Sequence, residues 1–269
     1  MRKMCLETVF ELAKKNNKIV FIGSDLGPGV LDNFKKKYPN RFLMEGVAEQ
    51  AIIGMAAGLA MQKFRPYVNT IATFITRRAF EQVVIDLCLH NLPVTLIGNG
   101  GGMVYAPLGP THQAIEDISI MRTLPNLTIL APCDSNDMKN LVLQTTKIKG
   151  PIYIRIARGG EKIITNGKKS KIGKGLVLKS QTKFNFLTTG ITAQIALDAA
   201  KKIKKKYNMD VGVIHFSTVK PLDKKLLKKI IINSKKIITI EENVVEGGFG
   251  SSILEFSSNL KKSKNNIYL

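Results

Sequence analysis

The sequence predicts an α/β protein built from two parallel-sheet domains. Short β-branched apolar runs alternate with longer amphipathic stretches, and the apolar runs are continuous, as in strands that are covered on both faces. A stretch rich in Gly, Lys, Thr and Ser at residues 161–180 interrupts this alternation, which then resumes. The length of 269 residues suits two ordinary domains. We therefore expect a first domain over residues 1–160, a linker with one edge strand over 161–180, and a smaller domain over 181–269.

The expected elements follow from this alternation. In the first domain, apolar runs predict strands at 19–22, 68–71, 94–97, 127–130 and 152–154, and amphipathic runs predict helices near 1–15, 47–61, 77–90, 113–123 and 134–147. The second domain is expected to hold strands at 185–187, 211–215 and 236–240 and helices at 192–206, 222–232 and 249–258. Ligands of open parallel sheets bind at the carboxyl ends of the strands, so the segments that follow each strand are the first candidates for a site.

Composition excludes several classes of protein. Hydrophobic residues make up 44% and charged residues 23%, an ordinary globular profile. The apolar run at 52–61 contains Gly and is too short to span a bilayer, and the N-terminal residues lack the pattern of a secretory signal. Cys5, Cys88 and Cys133 lie far apart, which argues against disulfides and a zinc site. We expect a cytoplasmic protein without metal ligands of its own.

The charge is strongly basic. The formal net charge is +21, and the second half of the chain owes its basic excess to Lys alone. Such a surface could bind nucleic acid, attract phosphorylated substrates, face an acidic partner, or consist of solvated helix faces. No nucleic-acid module with interleaved aromatic residues is present, which favours solvated faces. A basic nucleic-acid-binding or regulatory protein remains the non-enzymatic alternative.

Glu49 is an unusual residue at the start of a predicted helix. It precedes a helix of small and apolar residues at 51–60 that is expected to be deeply buried. One interpretation is a solvated carboxylate that complements the helix dipole. The other is a carboxyl group in an apolar setting, which would keep or donate a proton.

Two polar segments follow predicted strands. Residues 98–102 read Gly-Asn-Gly-Gly-Gly, without the GxGxxG or GxxxxGK[ST] pattern of a nucleotide loop, so we interpret them as a permissive loop that reaches a site. His112 lies in Leu-Gly-Pro-Thr-His-Gln at 108–113, just before a predicted helix. It is either a satisfied surface residue or part of that site. No pair of His residues has metal-ligand spacing.

Taken together, these segments resemble the transketolase family of thiamine diphosphate enzymes. The resemblance covers essentially the whole chain and is closest to the C-terminal subunit of split bacterial transketolases, with 1-deoxyxylulose-5-phosphate synthase a near relative. The segments that carry it are residues 44–60, 72–74 with 78–82, 108–117, 154–159, 216–222 and 241–250. It implies a pyrimidine-binding domain followed by a transketolase C-terminal domain. Relatives usually continue beyond Leu269, so that domain is either naturally short here or cut by a truncated reading frame.

The resemblance implies the roles of individual residues. Glu49 would hydrogen-bond the aminopyrimidine of the cofactor as a neutral carboxyl and so promote loss of the thiazolium proton, and His112 would contact substrate and help move protons. Phe74 would stack on the pyrimidine ring, while Asp25, Leu26 and Arg77 would line the cofactor site. Substrate phosphate would be held by Arg158, through the bidentate geometry of its guanidinium, and by Arg2.

The sequence also departs from the family. Full-length transketolases carry a His at the position of Gly100 and an Asp at that of Leu108, so the sugar substrates cannot be carried over. The Gly-Asp-Gly motif that binds magnesium does not occur, which implies a partner subunit that holds Mg²⁺ and the diphosphate, in a two-plus-two heterotetramer. The implied activity is transketolase, a transferase of carbohydrate metabolism in the pentose phosphate reactions. Alternatives are a 1-deoxyxylulose-5-phosphate synthase-like enzyme and a 2-oxoacid dehydrogenase beta subunit.

Overall fold

A computed structural model describes residues 1–24, 29, 31–157, 159–260 and 266–269. Two sheets, each flanked by helices, confirm the predicted fold class. The strands are β1 (Ile19–Gly23), β2 (Phe42–Met44), β3 (Arg65–Ile71), β4 (Thr95–Asn99), β5 (Thr128–Leu130), β6 (Ile152–Ile156), β7 (Leu176–Lys179), β8 (Phe184–Thr188), β9 (Gly212–His215), β10 (Thr218–Lys220), β11 (Lys236–Ile240) and β12 (Asn266–Tyr268). The α-helices are α1 (Arg2–Lys15), α2 (Asp32–Lys37), α3 (Glu49–Met61), α4 (Phe80–Gln82), α5 (Asp117–Arg122), α6 (Ser135–Thr145), α7 (Thr192–Tyr207), α8 (Lys224–Asn233) and α9 (Phe249–Ser258).

The first sheet positions the candidate site. Its seven strands run in the order β10-β5-β6-β4-β3-β1-β2, and all pairs are parallel except the one between β10 and β5. β1, β3, β4 and β6 are neighbours in its middle, and almost every residue in them is buried. The segments that follow these strands therefore meet at one edge of the sheet, where the sequence predicts the site.

The second sheet is smaller and mixed. Its order is β12-β11-β8-β9-β7, with β7 antiparallel to β9 and the other pairs parallel. β7 is the edge strand expected within residues 161–180. β10 follows β9 in the chain but pairs with β5 of the first sheet, so backbone hydrogen bonds connect the two domains.

The helix expected at 77–90 differs most from its prediction. Helical structure begins earlier, with a π-helical segment Phe74–Arg78, is interrupted at Ala79, and continues through α4 and a second π-helical segment, Val83–Leu89. π-helical turns are rare and locally widen the helix, which changes the direction in which side chains project. The helix expected at 113–123 begins only at Asp117, because residues 109–113 form turns and loop.

A buried polar link joins the two domains beside the apolar core. Asp137 of α6 accepts hydrogen bonds from Ser217 Oγ at 2.8 Å and from the amide of Cys133 at 3.0 Å, and His215 Nε2 lies 3.3 Å from its Oδ2. Asp137 and His215 are fully buried, and the hydrogen bonds that Asp137 accepts replace part of the hydration that its carboxylate would have in water. None of the helices in the described ranges combines the length and the apolar character that a bilayer crossing requires.

Candidate active site

Glu49 is the first residue of α3 and is buried, with 1% of its surface exposed. The rest of the helix packs small and apolar residues against β3, which draws its first turn into the protein. Thr70, on β3, donates a hydrogen bond of 3.2 Å to Oε1 of Glu49 and itself accepts one from Ser24 Oγ. This carboxyl group is therefore at the carboxyl ends of β1 and β3, and it is not a solvated helix-dipole residue.

Arg78 forms an ion pair with this carboxyl group. Its Nη1 donates a hydrogen bond of 2.7 Å to Oε2 of Glu49, and its own side chain is 43% exposed. The neutral carboxyl that the resemblance implies for the cofactor-bound enzyme stays a prediction, and the pairing of Glu49 with Arg78 was not expected from the sequence. The reason is local geometry, because the π-helical turn directs Arg78 back towards the start of α3.

Phe74 and His112 lie beside the ion pair. The guanidinium carbon of Arg78 is 4.3 Å from the centre of the Phe74 ring, and the rings of Phe74 and His112 are 5.1 Å apart in an edge-to-face arrangement. Thr73 Oγ1 donates to the carbonyl of Thr111 at 2.7 Å, which holds the loop that carries His112 against the end of β3. The structure therefore brings together three residues that the sequence nominates, namely Glu49, Phe74 and His112.

Arg77 holds the loop of His112 in place. Its guanidinium donates to the carbonyl oxygens of Pro110 and Gln113 and forms an ion pair with Glu116. These contacts all lie on the segment around His112. The sequence predicts Arg77 as a cofactor-binding residue, and its described contacts give it a role in positioning the loop beside that site.

The glycine-rich loop after β4 is shaped by close packing. Gly100 has a φ of +82°, and a Cβ atom there would lie 2.2 Å from the ring of Tyr105. A His at this position, as in full-length transketolases, would therefore displace Tyr105, whose ring centre is 6.4 Å from that of His112. Gly101 and Gly102 form bridges with Ala114, so the loop is fixed next to the His112 segment.

An ion pair of Arg155 and Asp117 supports this loop from beneath. Both side chains are buried, and Arg155 Nε donates to Asp117 Oδ2 at 2.9 Å. Arg155 Nη2 also donates to the carbonyl oxygens of Ala114 and Glu242, which ties the loop to the second domain. Tyr153 donates to the same carboxylate at 2.7 Å, and burial together with Asp117 raises the pKa of Tyr153 well above its ordinary value.

The remaining predicted residues of the cofactor site and the substrate-phosphate site are only partly covered by the structure. Asp25, Leu26 and Arg158 lie outside the described residues. Arg2 begins α1, next to Met1, whose ammonium group donates to Glu161 at 2.9 Å. Glu161 also accepts from the amide of Gly159, so Arg2 lies near the segment that follows β6.

Within the described part of the chain, one group of three side chains has the spacing of a metal site: Cys133, Asp137 and His215. It lies in the link between the domains, and the carboxylate oxygens of Asp137 already accept hydrogen bonds. Burial, with Asp137 and Asp134 nearby, raises the pKa of Cys133 far above its ordinary value, which disfavours a thiolate ligand. Magnesium prefers oxygen ligands and water, so this group does not fit it.

The fold is that of an α/β protein with a buried carboxyl group at the carboxyl ends of its parallel strands. The family profile described as transketolase, pyrimidine binding domain, matches residues 1–160, and the one described as transketolase, C-terminal domain, matches residues 173–267. The chain therefore belongs to the transketolase family of thiamine diphosphate-dependent enzymes.

Curated enzymes with similar sequences include two of the same name. The 1-deoxy-D-xylulose-5-phosphate synthase of Clostridium perfringens (strain SM101 / Type A) is 38% identical over 253 residues, which are 93% of this chain and 40% of that protein. The enzyme described as 1-deoxy-D-xylulose-5-phosphate synthase 1 of Geobacter sulfurreducens is also 38% identical, over 93% of this chain and 39% of its own length. The chain thus spans about 40% of the length of these curated relatives.

Among solved structures, a split gene transketolase described as an inactive beta4 tetramer superposes with a TM-score of 0.90 at 32% identity, covering 99% of this chain and 87% of that one. A transketolase variant from Pichia stipitis superposes with a TM-score of 0.78 at 18% identity, covering 95% of this chain and 43% of that one, and so shares the fold.

Sequence reasoning missed three residues of the site: Arg78, Thr70 and Tyr105. For Arg78 the signal was weak, because the expected helix began at 77 and so left out Phe74, with which Arg78 shares a face at i, i+4 spacing. Thr70 is a polar residue in a buried strand, where it needs a partner. For Tyr105 the glycine-rich loop gave no signal, because the contact depends on how the loop folds.

Proposed function

We propose that this chain is the C-terminal subunit of a two-chain transketolase, which transfers a two-carbon ketol unit between phosphorylated sugars with thiamine diphosphate. The observation that carries the proposal is the buried carboxyl group of Glu49 beside Phe74 and His112, at the carboxyl ends of neighbouring strands in a transketolase-type pyrimidine-binding domain. The similarity to the split gene transketolase over 99% of this chain and 87% of that one supports the two-chain arrangement.

The residues present fit the aminopyrimidine half of the cofactor. A planar N–H donor, the guanidinium of Arg78, already rests on the Phe74 ring and donates to Glu49, so the site accepts a group of that shape and polarity. The described residues do not fit the magnesium and diphosphate half. We assign those ligands to the partner subunit, in agreement with the missing Gly-Asp-Gly motif.

When bound, thiamine diphosphate would supply a nucleophilic carbon and an electron sink for the transferred unit. In this chain, Glu49 would hold a proton at one carboxyl oxygen and donate it towards the pyrimidine, with Thr70 fixing the orientation of the other oxygen. Phe74 would provide the stacking surface. His112, held by Arg77 and Thr73, would be placed to hydrogen-bond the substrate and move a proton.

An exposed apolar face next to Glu49 supports association with another subunit. We call it the association face, and it consists of Ala51, Gly54, Met55, Gly58 and Met61 on α3. No atom of the described residues lies within 4 Å of a Cβ built at Gly58, so the described part of the chain does not cover this part of the face. The structural relative described as an inactive beta4 tetramer suggests that such a chain self-associates without its partner and is then inactive.

A second candidate function is a 1-deoxyxylulose-5-phosphate synthase-like activity. It is favoured by 37% to 40% identity to enzymes of that name. The product named for those enzymes carries a methyl group in place of the hydroxymethyl group of a ketol unit. Its two-carbon unit would therefore come from a decarboxylated 2-oxoacid and not from a ketose.

A substrate comparison separates the two. The chain, co-expressed with a partner that carries Gly-Asp-Gly, would be supplied with a ketose phosphate and an aldose phosphate, or with a 2-oxoacid and an aldose phosphate. New ketose phosphate in the first mixture supports transketolase, whereas release of CO₂ in the second supports the alternative. Salt-sensitive RNA or DNA binding, with no turnover in either mixture, would support the non-enzymatic alternative.

We also place the enzyme in the cytoplasm, where its three buried free cysteines would stay reduced.

We expect Glu49→Gln to lower kcat at least about 100-fold in the assembled enzyme, because the amide cannot donate the proton of a carboxyl group. Steady-state kinetics on the co-purified complex would measure this. Glu81→Gln, an exposed residue of α4, is the matched control and should leave kcat within about twofold. Full turnover by the Glu49→Gln complex would remove Glu49 from the proposed role.

A further inference from the structure

Arg78 occupies both contacts that the proposed function assigns to the aminopyrimidine ring. It donates to Oε2 of Glu49 at 2.7 Å, and its guanidinium carbon lies 4.3 Å from the centre of the Phe74 ring. A planar group that rests on the aromatic face and donates to the carboxylate fills the place of a planar heterocycle. Arg78 and the cofactor ring therefore cannot make these contacts at the same time.

We propose that Arg78 is an internal latch of the cofactor site. With the latch closed, it holds Glu49 as a carboxylate. Binding of thiamine diphosphate displaces the guanidinium into solvent, and Glu49 takes up one proton. This inference rests on the proposed function. One proton from water or buffer bonds to a carboxyl oxygen of Glu49, the guanidinium keeps its charge, and no covalent bond of the cofactor is made or broken in this step.

The latch can open because its two members differ in exposure. The Glu49 side chain is 1% exposed, whereas that of Arg78 is 43% exposed and can return to water without a large desolvation change. The buried carboxylate of Glu49 cannot return to water in this way. Once Arg78 leaves, burial favours the protonated form of the carboxyl group. Departure of the guanidinium and uptake of a proton are thus expected to be one coupled event.

Other charged groups near α3 do not replace Arg78. Arg77 is engaged by the His112 loop and Glu116, Arg65 donates to the carbonyl of Ile148, and Asp86 lies beside Gly54. Across the described residues, Arg78 is the cation within ion-pair distance of Glu49. Among the described residues, the titratable and charged groups on the elements and loop packed around Glu49 are Arg65, Tyr67, Arg77, Arg78, Glu81, Asp86, Cys88 and His112.

A closed latch lowers the apparent affinity for the cofactor, because only the fraction of chains with an open latch can bind it. Arg78→Met removes the cation and keeps an unbranched side chain. In the two-chain complex we expect this change to lower the Kd for thiamine diphosphate by about tenfold. Proton uptake on binding should fall from about one per site towards zero, because an unpaired Glu49 is already protonated before the cofactor arrives.

Isothermal titration calorimetry tests this directly. The complex would be titrated with thiamine diphosphate and Mg²⁺ at one pH in two buffers that differ in ionisation enthalpy, so that the difference in heat gives the protons taken up. Lys206→Met is the control, since it removes an exposed cation that lies over the ring of Tyr207 on α7. That variant should bind and take up protons like the wild type.

The outcomes separate the latch from the function. Wild-type binding without proton uptake overturns the latch even if the Arg78 variant fails to fold. Unchanged or weaker binding by Arg78→Met, with unchanged proton uptake, also overturns it. In both cases a large loss of turnover in Glu49→Gln would leave the proposed function standing. A wild-type complex that does not bind thiamine diphosphate overturns the proposed function, and the latch with it.

Discussion

At the scale of single residues, the backbone at position 100 decides which side chain can be present. Gly100 combines a left-handed φ of +82° with a Tyr105 ring that lies where a Cβ atom would project. Gly109 has a similar φ of +78°, but no atom of the residues that the structure describes lies within 4 Å of its Cβ position. Substitution of Gly109 therefore tests backbone strain alone, whereas substitution of Gly100 tests backbone strain together with steric overlap.

We expect Gly109→Ala to lower the free energy of unfolding by about 1 kcal/mol, the cost of a left-handed backbone for Ala. Gly100→Ala should lose a further 1–3 kcal/mol, roughly the cost of overpacking against Tyr105. Urea unfolding would measure both. Combining Gly100→Ala with Tyr105→Ala should lose less than the sum of the single changes. Equal losses at the two glycines would contradict the close packing.

The residues of the candidate site were predictable to different degrees. Glu49 stood out because a carboxyl group begins a helix that the sequence marks as buried, and Phe74 and His112 follow strands whose ends must meet. Arg78 was not predictable in its role, because whether it reaches Glu49 depends on a π-helical turn. The burial of Glu49 was therefore predictable, whereas its ion pair with Arg78 was not.

At the scale of elements, Asp137 joins the start of α6 to β9 and to Ser217. Burial alone would raise the pKa of this carboxyl group, but the neighbouring His215 and the hydrogen bonds that the carboxyl group accepts, such as that from the amide of Cys133, together outweigh burial, so its pKa lies below the ordinary value. A carboxyl group of this kind stabilises the fold above its ordinary pKa of about 4. That stability is lost as the pH falls through the lower pKa of the folded state.

We expect Asp137→Asn to lower the free energy of unfolding by about 3 kcal/mol at neutral pH, since it removes a buried charge and places an NH₂ donor where one carboxylate oxygen now accepts hydrogen bonds. The variant should also lose less stability than the wild type as the pH falls below about 4. Unfolding followed by circular dichroism at several pH values would measure both effects. Asp198→Asn, an exposed residue of α7, is the matched control. Identical pH profiles for Asp137→Asn and the wild type would remove this link.

The elements themselves were largely predictable where their pattern was long. β1, β8, β11, α7 and α9 lie within one residue of their expected bounds. The strands that sequence reasoning missed, β2, β10 and β12, have three residues each, too few for a periodic pattern. β10 also depends on a partner from the other domain, which no local pattern can reveal.

At the scale of the whole molecule, the chain is a strongly basic protein with an uncovered apolar helix face. A net charge of +21 makes copies of the chain repel one another, so their association needs apolar contact or an acidic partner. The association face on α3 offers small residues that allow close approach. Ile85 and Leu89, from the π-helical segment packed beside α3, add further exposed apolar surface.

We expect Met55→Lys to weaken both self-association and binding to the partner subunit at least about tenfold, because a charge would be moved out of water at the centre of the face. Ile195→Lys is the matched control. It adds the same charge at an exposed apolar residue of α7, in the other domain, and should leave association unchanged. Sedimentation velocity on the chain alone, and on the complex, would measure this.

If both variants associate like the wild type, α3 is not an interface. If both weaken association equally, the added charge is the cause and the contact surface is not. Loss confined to Met55→Lys would place Glu49, the first residue of α3, beside a second polypeptide.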